Sequence, residues 1–245
     1  MLRVLQRPLF SRARIFLGRL KPHALPVAKK HIVLGSIGAG TGLAVTSMFS
    51  HWLLGEVNLW FIAPMGASAV LLFGVPSSPL AQPWSIVGGN VLSALIGVTV
   101  GLLVPDTAIA CGLAAALAIA GMYFLRCLHP PGGAVALTAI LGGAGVHNEG
   151  YQFVLTPVLL NSMMLALLAI VFNNLVGRRY PHPLAAEEVK PNVVPMGIAV
   201  TREDIHTALM EGQFLDIGED DVQELLENIE QQARLRLAAG QKARQ

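Results

Sequence analysis

The sequence predicts an all-α, polytopic helical membrane protein with about six membrane segments and a short helical cytoplasmic tail. Charged residues make up only 13% of the chain, against roughly a quarter in a soluble domain. Between Lys30 and Arg178 the only Asp, Glu, Lys or Arg residues are Glu56, Asp106, Arg126 and Glu149, so no water-facing surface can be built there. The apolar stretches that remain approach ~20 residues, the length a helix needs to cross a bilayer at ~1.5 Å per residue.

The segments run over 32–54, 57–74, 86–104, 108–124, 129–143 and 154–176. Ahead of the first stands a basic arm, residues 1–30, with Arg3, Arg7, Arg12, Arg14, Arg19, Lys21, Lys29 and Lys30 and no acid. Such an arm suits anionic lipid, and an organelle transit peptide is the alternative reading. The first segment carries Gly38 and Gly42, and the third Gly97 and Gly101, at the spacing that packs membrane helices closely. The second and fifth segments are short and interrupted, at "IAPMGASAVL" (62–71) and "LHPPGGAVAL" (128–137). The fourth follows Asp106; Cys111 and Cys127, 16 positions apart, lie too far along a helix for a disulfide. The sixth closes on Arg178 and Arg179.

Residues 31–178 therefore form the membrane domain, and 179–245 a linker and helical tail. In the tail, Thr201 stands as an N-cap with Asp204 three positions on. Residues 219–238 place acids first and arginines late, with Leu225, Leu226, Ile229 and Leu235 as an apolar stripe.

Lysine and arginine favour the cytoplasmic side. Six segments put every basic residue on that side and Glu56, Asp106 and Glu149 opposite, with both termini cytoplasmic. The two interrupted stretches align Pro64 with Pro130, Gly66 with Gly132 and Leu71 with Leu137. Asn90 and Asn161 follow in the next long segments. This suggests two inverted repeats of three segments with broken helices, a plan that places binding near the membrane midplane.

Proline costs little at the first turn of a helix, where its missing N–H would have had no helical partner. A helix starting at Pro130 or Pro131 would leave N–H groups and a positive dipole end directed at an anion. Gly132 and Gly133 would allow close approach, and Arg126 and His129 would add positive potential. Pro64, Gly66 and Ser68 would supply a second helix start, with Asn90 and Asn161 as further polar groups. Each has a structural alternative: a tight turn at "HPPGG", Arg126 reaching the headgroups, and interhelical hydrogen bonds from the asparagines.

Paired carboxylates, a metal-spaced His/Cys cluster, a nucleotide loop and a supported Ser–His–Asp set are all missing, so the sequence favours neither an enzyme nor a metal or cofactor protein. Nucleic-acid binding has no support either, because the basic residues flank the membrane region without an aromatic platform.

The spaced pattern "APMGASAVLLFG…P…QPW…GGN" followed by "LHPPGGAVAL" resembles the HPP family of integral membrane proteins, over about residues 30–178. The family's motif falls on His129, Pro130 and Pro131. The resemblance implies a four-span description where the charge pattern gives six. It also implies nitrite transport, on the strength of plastid and cyanobacterial relatives. Many bacterial relatives add CBS domains, for which the tail after the membrane domain is too short. The expectation is a small-anion transporter or channel, nitrite first, in the lipid bilayer and compatible with a homo-oligomer. A bacterial inner membrane is expected, an organelle membrane being the alternative. A non-transporting scaffold or sensor acting through the tail is the competing function.

Overall fold

The computed structural model describes residues 27–54 and 63–182, together with the helical positions Thr207, Val222 and Leu226. The basic arm up to residue 26, Glu56, the linker and most of the tail lie outside the described residues, as do the expectations placed on them.

The described chain is all helical. Helix α1 runs Lys29–Leu54 and α2 Pro64–Ala69, continuing as a π turn over Val70–Gly74. A 3₁₀ turn, Pro79–Ala81, leads into α3, Pro83–Leu103. Then follow α4 (Thr107–Phe124), α5 (Pro131–Leu141) and α6 (Gly143–Glu149). A second π segment, Val154–Leu160, runs into α7, Asn161–Leu175.

Among the described residues four helices are long and apolar enough to cross a membrane: Lys29–Leu53, Pro83–Leu103, Thr107–Phe124 and Val154–Leu175. This corrects the expected count of about six. Within the described residues of the segments read at 57–74 and 129–143 stand the shorter apolar helices Pro64–Gly74 and Pro131–Leu141. Eleven residues rise ~16 Å, about half the hydrocarbon core. The cause is local: Pro64 and Pro131 each stand at the first helical position and can only begin a helix there. The scheme of two inverted three-segment repeats, each a long, a broken short and a long segment, was read together with the count of six and is not carried further.

Two apolar clusters hold the bundle. One joins α2, α3, α5 and α7 through Met65, Phe73, Ile86, Val135 and Leu165. The other joins α3, α4 and α5. The buried edge of α4 is Ala110, Ala114, Ala118 and Met122, one residue every fourth position. Alanine at this spacing brings backbones close without filling the gap with side chain. The glycines act similarly. A Cβ on Gly38 or Gly42 would meet the Phe73 ring at 2.6 or 2.7 Å, and one on Gly97 would meet the Ala136 carbonyl oxygen at 2.5 Å.

Hydrogen bonds define the two ends. At one end Arg178 reaches His31 and Phe73, Tyr180 reaches Ala81, His182 reaches Gln82, and the Trp84 indole reaches the Leu125 carbonyl. The described Lys and Arg residues, Lys29, Lys30, Arg126, Arg178 and Arg179, belong to that end. Asp106 caps α4 at the opposite end, accepting from the Ile109 N–H at 2.9 Å. Glu149 closes α6 near Tyr151, whose hydroxyl meets Thr99.

Candidate functional site

Membrane interiors penalise polar side chains, so those that are buried there mark structure or function. Among the described residues nine such side chains, Thr46, Ser50, Ser68, Asn90, Ser93, His129, Asn161, Ser162 and Asn173, are buried almost completely. They come from α1, α2, α3, α7 and the turn before α5.

The link between the two interrupted helices is a side-chain pair. Ser68 Oγ lies 2.8 Å from His129 Nε2, and both residues are fully buried. On the other side of the ring, His129 Nδ1 is 2.9 Å from the Leu80 carbonyl oxygen. A carbonyl only accepts, so Nδ1 carries the proton, and in the neutral ring Nε2 accepts from the Ser68 hydroxyl. The protonated ring fits as well. Nε2–H would then donate to Ser68, whose hydroxyl reaches the Pro64 carbonyl at 3.3 Å.

The helix starts are less open than the sequence suggests. Prolines 130 and 131 carry no N–H. The Gly132 N–H donates to the His129 carbonyl at 2.8 Å, and the Gly133 N–H to the Pro130 carbonyl at 3.1 Å. The Gly66 N–H donates to the Ala63 carbonyl at 3.0 Å. Gly132 serves helix contact: a Cβ there would lie 2.7 Å from Ser93 Oγ and 3.1 Å from the Gly89 carbonyl oxygen of α3. Gly66 and Gly133 are half-buried, with open space where a Cβ would stand.

Asn90 belongs to the same neighbourhood. It sits one helical turn from Ser93, and its chain neighbour Gly89 would bring a Cβ within 2.8 Å of His129 Cβ. Its Nδ2 donates to Ser162 Oγ at 3.1 Å, while its Oδ1 is buried without a hydrogen-bond partner. Asn161, next to Ser162, accepts from the Ser50 hydroxyl and so ties α7 to α1. The structure thus joins Ser68 to His129, packs Gly132 and the His129 turn on α3, and links Asn90 of α3 to Ser162, the neighbour of Asn161.

Arg126 stands apart. It is exposed and takes a left-handed backbone, φ 53°, at the end of α4. Sequence reasoning missed Arg178, which is only 7% exposed. Its guanidinium donates to the Phe73 carbonyl at 2.7 Å and to the His31 carbonyl at 2.9 Å, clamping the last turn of the interrupted 64–74 helix onto α1. Asn173 supports the same turn, donating to the Leu72 carbonyl at 3.1 Å. Burial lowers the Arg178 pKa and raises that of Tyr180 from their ordinary values. A π turn displaces backbone carbonyls from regular pairing, and these two side chains meet them. A lone arginine at a segment end gave no sign of this role.

Among the described residues no group of three His, Cys, Asp or Glu side chains gathers to hold a metal ion. Cys111 and Cys127 are free thiols.

The profile of the HPP transmembrane region matches residues 25–181. A transmembrane protein of Dictyostelium discoideum is 41% identical over 146 residues, 57% of this chain and 47% of that protein. A second from the same organism is 41% identical over 125 residues, 49% of this chain and 44% of that protein. The chain thus spans less than half the length of these curated relatives. No solved structure matches. The family profile covers the four spanning helices, both interrupted helices and the His129–Pro130–Pro131 turn that Ser68 holds, so the chain is a multi-pass membrane protein of the HPP family.

Proposed function

We propose that the chain is a transporter or channel for a small inorganic anion, with nitrite the first candidate. One observation carries this reading: the fully buried Ser68–His129 pair joins two interrupted apolar helices against α3, which also bears Asn90, whose amide oxygen lacks a partner. Transporters place binding where helices are interrupted at membrane depth. A buried amide left partly unsatisfied costs about 1–3 kcal/mol, which a permeating ligand would recover.

In this reading Ser68, Asn90, His129 and Asn161 meet the permeating species. Pro64, Gly66, Pro130, Pro131, Gly132 and Gly133 shape the breaks that admit it, and Arg126 at the basic end attracts it from solution. The basic end faces the cytoplasm, as the preference of lysine and arginine for that side supports. The lipid bilayer is the protein's medium, and association between copies remains compatible with the exposed apolar faces.

Uptake into proteoliposomes containing the purified chain tests the proposal, with nitrite, nitrate, formate and chloride offered in turn. Protein-dependent uptake of at least one is the expected result. Its absence for all four, with monodisperse protein, would replace the transporter with the scaffold reading.

A further inference from the structure

We infer that the transported species is the neutral conjugate acid of a weak-acid oxyanion, loaded against Asn90; this rests on the transporter reading above. Among the described residues, the buried polar layer made by Ser50, Ser68, Asn90, Ser93, His129, Asn161 and Ser162 holds no Lys, Arg, Asp or Glu. Arg126 is exposed, and Arg178 stands at the end of the bundle with its two terminal nitrogens on carbonyl oxygens. The N–H groups of Gly132 and Gly133 already donate to carbonyls. A bare anion entering this layer would lose its hydration and meet no fixed positive charge, a far larger penalty than that of a neutral solute.

Asn90 is the group left over. Its Oδ1 is buried without a partner, while its Nδ2 donates to Ser162. Turning the amide over lets Oδ1 accept from the Ser162 hydroxyl and leaves the NH₂ open instead. An anion offers only acceptors and suits one of these orientations. A molecule with one hydroxyl and one terminal oxygen, the pattern of nitrous or formic acid, suits both. Its hydroxyl donates to Oδ1, and its other oxygen accepts from a serine hydroxyl or the turned amide.

The balance is simple. The anion takes one proton from water on the entry side, crosses as the neutral acid, and returns that proton on the exit side. No net charge moves. Anions of strong acids, nitrate and chloride among them, have almost no neutral form and are excluded.

Titratable groups near Asn90 come from few elements. His129 lies against Gly89, the chain neighbour of Asn90, from the turn before α5. The elements packed on α3, namely α4, α5, α7, the 3₁₀ turn and the 154–160 segment, carry no Asp, Glu, Lys, Arg or His within their helical spans. Protonated His129 would raise anion flux in acid too, so pH dependence alone does not separate the mechanisms. Membrane potential does, since it drives a charged species and leaves a neutral one unaffected.

The test uses the full chain in proteoliposomes, with flux through protein-free vesicles subtracted. Nitrite and formate uptake should fall about tenfold for each unit rise in pH. It should ignore an imposed potassium diffusion potential and acidify the vesicle lumen, and nitrate and chloride should not enter. Asn90→Leu, verified as monodisperse, should lower nitrite flux by about tenfold or more. If Asn90→Leu does not fold, Ser162→Ala should change the nitrite-to-formate ratio. Nitrite flux that follows the potential, nitrate entering at a similar rate, or parental flux and ratio in the folded variant overturns the inference while leaving a transporter. No protein-dependent flux of any anion overturns the transporter reading itself.

Discussion

Arg126 and Arg178 stand at the ends of two helices built with the same local hydrogen bonds and serve opposite purposes. After α4, the Cys127 N–H reaches the Met122 carbonyl and the Arg126 N–H the Tyr123 carbonyl. After α7, the Arg178 N–H reaches the Asn173 carbonyl and the Gly177 N–H the Asn174 carbonyl. Both are Schellman endings, in which one residue takes a left-handed backbone. After α7 that residue is Gly177, φ 78°, and the arginine following it turns into the protein. After α4 it is Arg126 itself, φ 53°, and its side chain stays outside. A shift of one position along the same motif separates a buried clamp from an exposed cation.

The strongest way to break this contrast is Arg178→Gln. It removes the charge and uncovers the buried Phe73 and His31 carbonyls. Hydrogen bonds to charged groups contribute about 1.5–3 kcal/mol each, so a loss of about 3 kcal/mol or more is expected. Thermal unfolding in detergent reads it, and Arg178→Lys should recover part of the stability. An unchanged unfolding temperature would mean the clamp is no more important than a surface contact.

Gly132→Val comes next. Its side chain would enter the space of Ser93 Oγ and Met122 Sδ, forcing α5 off α3, with a cost of about 1–3 kcal/mol. Flux should fall with it. Full stability and parental flux together would show that the close approach at Gly132 is dispensable.

Ser68→Ala leaves His129 Nε2 without its serine and should cost about 1 kcal/mol. His129→Gln should lose both links, because glutamine cannot match the ring's two opposed nitrogens. Equal unfolding temperatures for both variants and the parent would sever the proposed connection between the interrupted helices.

The smallest effect sharpens the comparison most. Arg126→Gly relieves a left-handed side-chain-bearing residue and should raise stability by about 1 kcal/mol. Gly177→Ala should lower it by a similar amount. If Arg126 draws substrate, Arg126→Gly should be more stable and yet slower in nitrite uptake. A variant that gains stability and keeps its rate would give Arg126 no role in attraction.

Some of this was readable in the residues. Charge placement separated the two ends of the bundle, because charged groups keep out of hydrocarbon regardless of packing. The prolines at 64 and 131 marked helix starts, because a missing N–H acts locally. The span count was not readable: hydropathy measures apolarity, and 57–74 and 129–143 are apolar whether or not one helix fills them. The role of Gly132 as a packing surface depended on where α3 runs, and its N–H partner on the turn at His129. Ser162 and Leu80, which complete the polar contacts of Asn90 and His129, are far away in sequence and ordinary in type. Arg178 looked like a flanking charge because only the fold brings Phe73 and His31 to it.

The alanine edge of α4 has a consequence for the surrounding lipid. With that edge turned inward, Ile109, Leu113, Leu117, Ile119, Tyr123 and Phe124 are left exposed along a helix of only 18 residues. Such a helix rises ~27 Å, a little less than a ~30 Å hydrocarbon layer, whereas the 26 residues of α1 rise ~39 Å. The short α4 and the long α1 thus differ in the bilayer thickness they match, a hydrophobic mismatch that on the α4 side favours thin membranes. Lipid chain length is thus a control on this protein from outside it: short-chain bilayers relax the α4 side, and long-chain, sterol-stiffened ones strain it.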